Sequence, residues 1–220
     1  MDETVTRNGN ENLTQMAYRK IKEMMFNYEI VPGQRLVFID FANRLGVSRT
    51  PVNNALNLLA KEGFLDFIPN QGYKVHEITR EEASNLYEIR EILELGAIGP
   101  AIQKMIPEKL KILEEQKKRY EKVVAEQLNR GRFRIDEDFH ASYIQMAENP
   151  YLTEYFREVY QRIFLRHRIE ALPVGRSREV VLEHKELFKA ISQKDAESAK
   201  RLIKHHIKTG REYIFSAISE

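Results

Sequence analysis

The sequence predicts a mainly α-helical chain with one small β-hairpin. Apolar residues recur three and four positions apart along most of its 220 residues, which is the spacing of helices that bury one face. Two short β-prone runs, FLDFIPN and GYKVHEI, follow each other and are joined through Asn70, Gln71 and Gly72, and no strand pattern occurs after Thr79. A chain of this length holds one large domain or two small ones, with apolar cores.

The composition excludes several classes of protein. Hydrophobic residues make up 42% of the chain, but no apolar run approaches the roughly 20 residues that span a bilayer, so no membrane partner is expected. The N-terminal segment MDETVTRNGNENLTQ is too polar for a signal or transit peptide. The sequence has no cysteine, which excludes disulfides and thiolate metal ligands and agrees with a cytoplasmic location.

The first third of the chain predicts three helices and a hairpin. In order, these are a helix from Leu13 to about Tyr28, a short helix over Ile39–Leu45, a helix that begins after Ser48 and ends at Gly63, and the two β-prone runs. Gly46 stands where helices commonly end in a left-handed glycine, and Ser48 suits the N-cap of the next helix. This order is that of a winged helix-turn-helix, which we assign to residues 13–78, after a flexible tail over residues 1–12.

Beyond a junction at Glu77–Arg80, the apolar pattern is helical throughout. The breaks IPEK, NRGR, ENP, LPVG and QKD separate the periodic segments. The predicted helices cover approximately Glu81–Lys104, Glu108–Asn129, Phe133–Ala147, Tyr151–Glu170, Arg178–Ser192 and Ala196–Ile218. Their number and length predict an all-α bundle of six to seven helices over residues 79–220.

The helix that follows Ser48 carries polar residues at positions suited to DNA. Arg49 and Thr50 stand at its positively polarised N-terminus, where phosphates and base edges can approach. Asn53 and Asn57 follow Arg49 at i+4 and i+8, opposite the apolar face. Asparagine can bind adenine, and arginine guanine, through two hydrogen bonds. The alternative interpretation is a solvated helix face behind a serine cap.

The segment from AYRKIKEMMFNYEIVPGQRL to FANRLGVSRTPVNNALNLLAKEGFLDFIPNQGYKV resembles the GntR family of bacterial transcription regulators. The turn PG-x-x-L, the string LGVSRTPV, the run AL-x-x-L-x-x-EG and the N-x-G of the hairpin match in order and spacing. The resemblance implies that Ser48, Arg49 and Thr50 contact double-stranded operator DNA. It also implies that Gln71 and Gly72 form a wing tip that enters the minor groove.

The recognition segment departs from the family pattern after TPV. Asn53 and Asn54 stand where the family usually has Arg-Glu, and the family's arginine there often contacts the operator. We interpret Asn53 as weakening or redirecting that contact without abolishing DNA binding. A homodimer is expected because a single DNA-binding head buries little DNA surface, and two-fold operators match two-fold proteins.

The later helices carry a candidate metal site. Asp136 and His140 in RIDEDFHASY are four residues apart and therefore share one helix face, while His184 and His206 stand on two further helices. One carboxylate and three imidazoles suit Zn²⁺, Ni²⁺, Mn²⁺ or Fe²⁺. Each histidine taken alone also fits an exposed position or a hydrogen-bonded core position.

Residues from about Thr79 to Ile218 resemble the FCD effector domain of FadR-like GntR regulators. The matching strings are LYEIREILE, D-x-x-FH, ENPYL, EHKELFKAI, KDAESAK and the final HI. His205 falls one position away from the family's final histidine. The metal ligands that the resemblance implies are Asp136, His140, His184 and His206.

Three arginines are candidates for binding an effector. Arg90 in LYEIRE matches a family arginine near the pocket, where its planar fork can bind a carboxylate. The alternative for Arg90 is a surface pair with Glu94 at i+4. Arg166 and Arg168 in LRHR are further candidates, with a solvated basic face as the alternative.

Together these features predict a bacterial DNA-binding transcription regulator whose DNA affinity changes when a small carboxylate binds near a metal ion in the bundle. Sugar acids, short dicarboxylates and amino acids all fit such a site. Two alternatives are a regulator with a purely structural metal and a metal-dependent enzyme whose Asp and His residues hold a water nucleophile. The attached DNA-binding head and the lack of a general-base motif beside the ligands argue against an enzyme, so none is predicted.

Overall fold

The computed structural model describes residues 12–126, 132–167 and 174–217. These residues form two compact units, one that ends at His76 and one that begins at Glu77. All of the predicted tail except Asn12 lies outside the described residues. None of the helices within these ranges combines the length and the apolar content that crossing a membrane requires.

The described part of the first unit has three helices and a small antiparallel sheet. Its elements are α1 (Leu13–Phe26), β1 (Arg35–Leu36), α2 (Phe38–Leu45), α3 (Arg49–Lys61), β2 (Leu65–Ile68) and β3 (Gly72–Val75). The strand order is β1-β3-β2, with Leu36 opposite Tyr73 and Ile68 opposite Gly72. The helix-turn-helix and its wing, the β2–β3 hairpin, confirm the predicted fold. The sequence does not predict β1, because two residues are too few to show alternation.

Gly46 sets the turn between α2 and α3. Its φ of 66° lies in the left-handed region, which glycine adopts without a Cβ clash. The N–H of Val47 donates to the carbonyl oxygen of Ala42 at 3.1 Å, which closes the end of α2. Gly46 therefore ends α2 as predicted, and α3 begins at Arg49. The apolar face of α3 packs on α1 and α2, which leaves its polar face toward solvent.

The described part of the second unit is an all-helical bundle, as predicted. Its helices are α4 (Arg80–Gln103), α5 (Pro107–Glu126), α6 (Arg132–Met146), α7 (Pro150–Leu165), α8 (Val174–Ser192) and α9 (Ala196–Ala217). Helix α4 packs on α6, α7 and α9, while α5 packs on α6 and α8. Helices α8 and α9 pack on each other, so α4, α6, α8 and α9 surround a common centre.

Local capping fixes where α4 and α7 begin. The Thr79 side chain accepts from the N–H of Glu82 at 3.2 Å, and the Glu82 carboxylate accepts from the N–H of Thr79 at 3.0 Å. The Asn149 side chain accepts from the N–H of Tyr151 at 3.1 Å, and Pro150 occupies the first turn of α7. These caps satisfy N–H groups that have no partner inside their own helix.

Helix α7 ends earlier than the sequence predicts. The apolar pattern continues to about Glu170, but α7 ends at Leu165. The Arg166 guanidinium donates to the Glu82 carboxylate at 2.6 Å, and the Arg166 carbonyl accepts from the N–H of Ile78 at 2.9 Å. These contacts with the start of α4 hold Arg166 outside the helix.

The bundle core is apolar at its margins and charged at its centre. Phe139 and Phe156 are fully buried, as expected for large apolar side chains. Arg90, Glu94 and His140 are also at most 2% exposed. Burying a charge costs several kcal/mol unless it is paired. The buried charged and polar side chains at the bundle centre therefore require partners that offset the cost of burial.

Candidate functional site

The N-terminus of α3 forms an exposed polar surface on the first unit. Ser48, Arg49 and Thr50 are all exposed. Ser48 occupies the N-cap position, yet its side chain makes no capping hydrogen bond within the described residues. Because the first N–H groups of a helix have no intrahelical acceptor, this end presents several donors to an outside partner.

Asn53 and Asn57 lie beside a tyrosine of the wing. The Tyr73 hydroxyl donates to Asn57 Oδ1 at 2.6 Å and lies 3.3 Å from Asn53 Oδ1. Tyr73 is buried, and burial raises the pKa of its phenol, so the hydroxyl keeps its proton at neutral pH. The Tyr73–Asn57 hydrogen bond joins α3 to β3 and occupies the carbonyl oxygen of Asn57.

The tip of the wing depends on a glycine. Gln71 at the tip is exposed, and Gly72 has a φ of 87°. A Cβ at Gly72 would also lie 3.4 Å from the carbonyl oxygen of Leu36. Gly72 therefore has a backbone role, and Gln71 supplies the side chain at the tip.

Four buried side chains from three helices meet at the centre of the bundle. Asp136 and His140 come from α6, His184 from α8 and His206 from α9. One possible ligand atom of each lies within 4.8 Å of the other three, and all four residues are at most 7% exposed. We call this group the Asp-His cluster.

His184 is positioned by aromatic packing. Its ring stacks on Phe139 with centroids 3.9 Å apart and lies 4.8 Å from the ring of Tyr120. Neither ring nitrogen hydrogen bonds to another described residue. Burial, followed by the charges of His140 and His206, holds the pKa of His184 well below its ordinary value. His184 is therefore a neutral imidazole with a free lone pair.

His140 is held by a buried glutamate of α4. Glu94 accepts from His140 Nδ1 at 2.8 Å, from Arg90 Nε at 2.5 Å and from the Tyr143 hydroxyl. Burial alone would raise the pKa of Glu94, but Arg90 and His140 hold it well below its ordinary range. The fully buried Glu94 is therefore ionised and accepts three hydrogen bonds.

His206 has a similar environment on the other side of the cluster. Glu183 accepts from His206 Nδ1 at 2.6 Å and from both terminal nitrogens of Arg176, at 2.5 and 2.9 Å. Burial opposes ionisation of Glu183, but the hydrogen bonds from His206 and Arg176 lower its pKa to about 2. Burial lowers the pKa of His206 itself, which favours the neutral imidazole that metal ions need.

The donor set of the cluster fits a divalent metal ion. Asp136 Oδ2 accepts from the Tyr160 hydroxyl at 2.8 Å, whereas Oδ1 has no hydrogen-bond partner among the described residues. This oxygen lies 3.3 Å from His184 Nε2, outside hydrogen-bonding geometry. Both atoms are therefore buried without a hydrogen bond among the described residues, and a cation that accepts their lone pairs would satisfy them. Mixed nitrogen and oxygen donors are compatible with Zn²⁺, Ni²⁺, Mn²⁺ and Fe²⁺.

A cavity of about 60 Å³ adjoins the Asp-His cluster. Asp136 and His206 form part of its wall, and each of the six helices described in this unit contributes lining residues. Phe133, Phe164 and Ile214 contribute apolar parts of the wall. The arginines that line the cavity are Arg90, Arg132 and Arg176.

Two protein-family models match the chain. The FCD domain model matches residues 85–209, and the model of bacterial regulatory proteins of the gntR family matches residues 13–75. The chain belongs to the GntR family of transcriptional regulators and has an FCD domain. The FCD match includes the Asp-His cluster, and the gntR match includes α3 and the wing of the regulator.

Several known proteins resemble the regulator over most of its length. It is 27% identical over 204 residues to the uncharacterized HTH-type transcriptional regulator YdhC of Bacillus subtilis, covering 92% of this chain and 91% of YdhC. It is 32% identical over 144 residues to the Nta operon transcriptional regulator of Aminobacter aminovorans, covering 64% and 66% of the two chains. The solved structure of Escherichia coli McbR matches with a TM-score of 0.84 at 23% identity, over 94% of this chain and 98% of McbR, which supports the fold. These relatives confirm a transcriptional regulator and not an enzyme.

The three arginines that the sequence predicts for effector binding lie in different environments in the structure. Arg90 lines the cavity of the regulator and also forms the i,i+4 pair with Glu94, in the buried core and not on the surface. Arg166 pairs with Glu82 and is not among the described lining residues. Arg168 lies outside the described residues.

Among the cavity residues that the sequence-based set lacks, three carry polar groups that bear on ligand binding: Arg132, Tyr87 and Arg176. Arg132 is 5% exposed and has no ion-pair partner among the described residues, and burial lowers its pKa. Arg132 stands four residues before Asp136 and so shares its helix face, and this spacing could have identified Arg132 from the sequence. The buried Tyr87 hydroxyl has no hydrogen-bond partner among the described residues, and Tyr87 stands one turn before Arg90. Arg176 could not be identified from helical spacing, because it directly follows the predicted break LPVG.

Proposed function

We propose that the regulator binds operator DNA as a homodimer, and that a small carboxylate changes its DNA affinity by binding beside a divalent metal ion in the FCD domain. The observation that carries the proposal is the shared wall between the Asp-His cluster and a cavity lined by the buried guanidinium of Arg132, which has no ion-pair partner among the described residues. Asp136, His140, His184 and His206 would hold the ion. When bound, the ion supplies positive charge and open coordination positions.

Arg132 and Tyr87 favour an anionic ligand in the cavity. A buried cation without a partner is unfavourable, so an anion that pairs with Arg132 offsets the loss of its hydration. The Tyr87 hydroxyl adds a donor that no described residue satisfies. Because Glu94 and Glu183 already pair with Arg90 and Arg176, Arg132 is the cavity arginine that has no ion-pair partner among the described residues.

The size of the cavity favours a short acid. A buried water needs about 10–15 Å³ by a comparable measure. The cavity of about 60 Å³ therefore corresponds to the space of several water molecules, which suits a short carboxylate better than a long sugar acid. A ligand there changes DNA affinity only if it binds the DNA-competent and DNA-incompetent arrangements with different affinities.

The exposed N-terminus of α3 supports operator binding, which for a bacterial regulator would take place in the cytoplasm. Ser48, Arg49 and Thr50 would contact phosphates and base edges, and Gln71 would enter the minor groove. Asn53 would contact a base with the groups that Tyr73 leaves available. A dimer would match the two-fold symmetry expected of the operator, and the exposed Ile89 and Ile92 on the outer face of α4, 45% and 64% exposed, are candidates for its contacts.

Arg49→Ala is expected to weaken operator binding about ten- to hundredfold, because one guanidinium contact to DNA is worth roughly 1–3 kcal/mol. Lys61→Ala is the matched control, since it removes an exposed cation from the opposite end of α3. The measurement is fluorescence anisotropy on an operator selected from random DNA by the wild-type protein. Equal losses in both variants, or one chain per operator in sedimentation, would contradict the proposed DNA-binding mode.

The effector proposal is tested by a thermal-shift screen of organic acids, with and without divalent metal, followed by operator binding with each hit. Arg132→Gln is expected to weaken binding of the hit about ten- to hundredfold, as for one charge-assisted hydrogen-bond partner, and to leave metal binding intact. Arg134→Gln, an exposed change on the same helix, is the control. An acid that stabilises the protein equally without metal, or that leaves operator affinity unchanged, favours a purely structural metal.

A further inference from the structure

Two glutamates contact the Asp-His cluster in the same way. Glu94 of α4 accepts from His140 Nδ1 at 2.8 Å and pairs with Arg90. Glu183 of α8 accepts from His206 Nδ1 at 2.6 Å and pairs with Arg176. Each glutamate therefore connects one histidine of the cluster to one arginine of the cavity, and the two Arg-Glu-His chains come from different helices.

These contacts determine which nitrogen of each histidine is available. An ionised carboxylate only accepts hydrogen bonds, so Nδ1 of His140 and of His206 must carry the proton. A neutral ring then has its lone pair on Nε2. Arg90 Nη2 lies 3.4 Å from His140 Nε2, and a guanidinium only donates, which agrees with a lone pair at that atom.

The third histidine of the cluster is held differently. His184 has no carboxylate partner among the described residues and is fixed by the rings of Phe139 and Tyr120. Two of the three imidazoles are therefore oriented and made more basic by a glutamate, and one is oriented by packing alone. A carboxylate behind a metal-bound imidazole typically changes metal affinity about 10–100-fold.

We propose that Glu94 and Glu183 are positioning residues of the metal centre, each of which presents the Nε2 atom of one histidine to the ion. The proposal rests on the metal binding proposed above. Glu183 is the better residue to test, because it lies nearer the surface than the fully buried Glu94.

The test is Co²⁺ affinity, measured by competition with a chelator, together with the visible absorption spectrum of the bound Co²⁺. Glu183→Ala is expected to weaken Co²⁺ binding about a hundredfold and to alter the spectrum, because His206 loses its acceptor. Glu183→Gln is expected to weaken Co²⁺ binding only about tenfold. The amide oxygen still accepts from Nδ1 of His206 but carries no charge.

Glu179→Gln is the matched control. Glu179 is exposed on the same helix and lies 3.3 Å from Arg176, but it contacts no histidine of the cluster, so wild-type affinity and spectrum are expected. Wild-type affinity in both Glu183 variants, or an equal loss in Glu179→Gln, would overturn the positioning role while leaving the proposed function intact. If the wild-type protein binds no Co²⁺, Zn²⁺, Ni²⁺, Mn²⁺ or Fe²⁺, the proposed metal centre fails and the positioning role with it.

Discussion

His184→Phe is expected to abolish the thermal stabilisation of the regulator by divalent metal without destabilising the metal-free protein. Phenylalanine keeps the stacking surface toward Phe139 and Tyr120 but supplies no ligand atom. It also removes two buried ring nitrogens that have no partner among the described residues. Burial of an unsatisfied polar group is unfavourable, so the metal-free variant should be at least as stable as the wild type.

The expected size of the metal effect follows from mass action. A ligand at one hundred times its Kd stabilises the folded state by about 2.7 kcal/mol, which raises the Tm of a chain of this size by about 5–10 °C. The measurement is a thermal melt with Zn²⁺ or Ni²⁺ and again after chelation. The control is His205→Phe, which changes the exposed neighbour of His206 and should keep the full metal-induced rise in Tm. A full shift in His184→Phe would show that the metal binds elsewhere.

Arg90→Met is expected to destabilise the FCD domain by about 3–5 kcal/mol, which is the usual loss when one member of a buried ion pair is removed. Arg90 and Glu94 are 2% and 0% exposed, so the variant leaves a carboxylate in the core without its guanidinium. Methionine preserves much of the arginine stem, which limits the packing defect. Denaturant unfolding of the metal-free protein gives the free energy directly.

A second substitution distinguishes lost charge pairing from lost packing. Arg90→Met with Glu94→Gln should recover part of the stability, because a neutral amide is cheaper to bury than an unpaired carboxylate and still accepts from His140 and Tyr143. The control is Arg162→Met, which breaks a more exposed i,i+4 pair with Glu158. It should lower the free energy of unfolding by less than about 1 kcal/mol. A double variant less stable than Arg90→Met would refute the pairing explanation.

Much of the fold follows from the sequence because it is encoded locally. The helices show their apolar period, and Gly46, Thr79 and Asn149–Pro150 mark helix ends through side-chain or backbone chemistry. The strand β1 has no such signature in its two residues. The early end of α7 depends on Glu82 and Ile78, which lie far from it in sequence.

The site is less predictable because its key contacts are tertiary. The i,i+4 spacing of Asp136 and His140 is visible in the sequence, and family resemblance supplies the other two histidines of the cluster. The Glu94–His140 contact joins residues 46 positions apart, and the Glu183–His206 contact joins residues 23 positions apart. Neither separation has a periodic signature, so these glutamates require the packing of the helices to be identified.

The hydrogen bond between Tyr73 and Asn57 has a consequence for the thermodynamics of operator recognition. It links the recognition helix to the wing within the folded protein, so their mutual geometry exists before any DNA is present. The conformational entropy lost in ordering these elements is then part of folding and does not reduce the affinity for DNA. In the proposed DNA-binding mode, the head is in this respect preorganised, and α3 and the wing would reach the duplex already joined to each other.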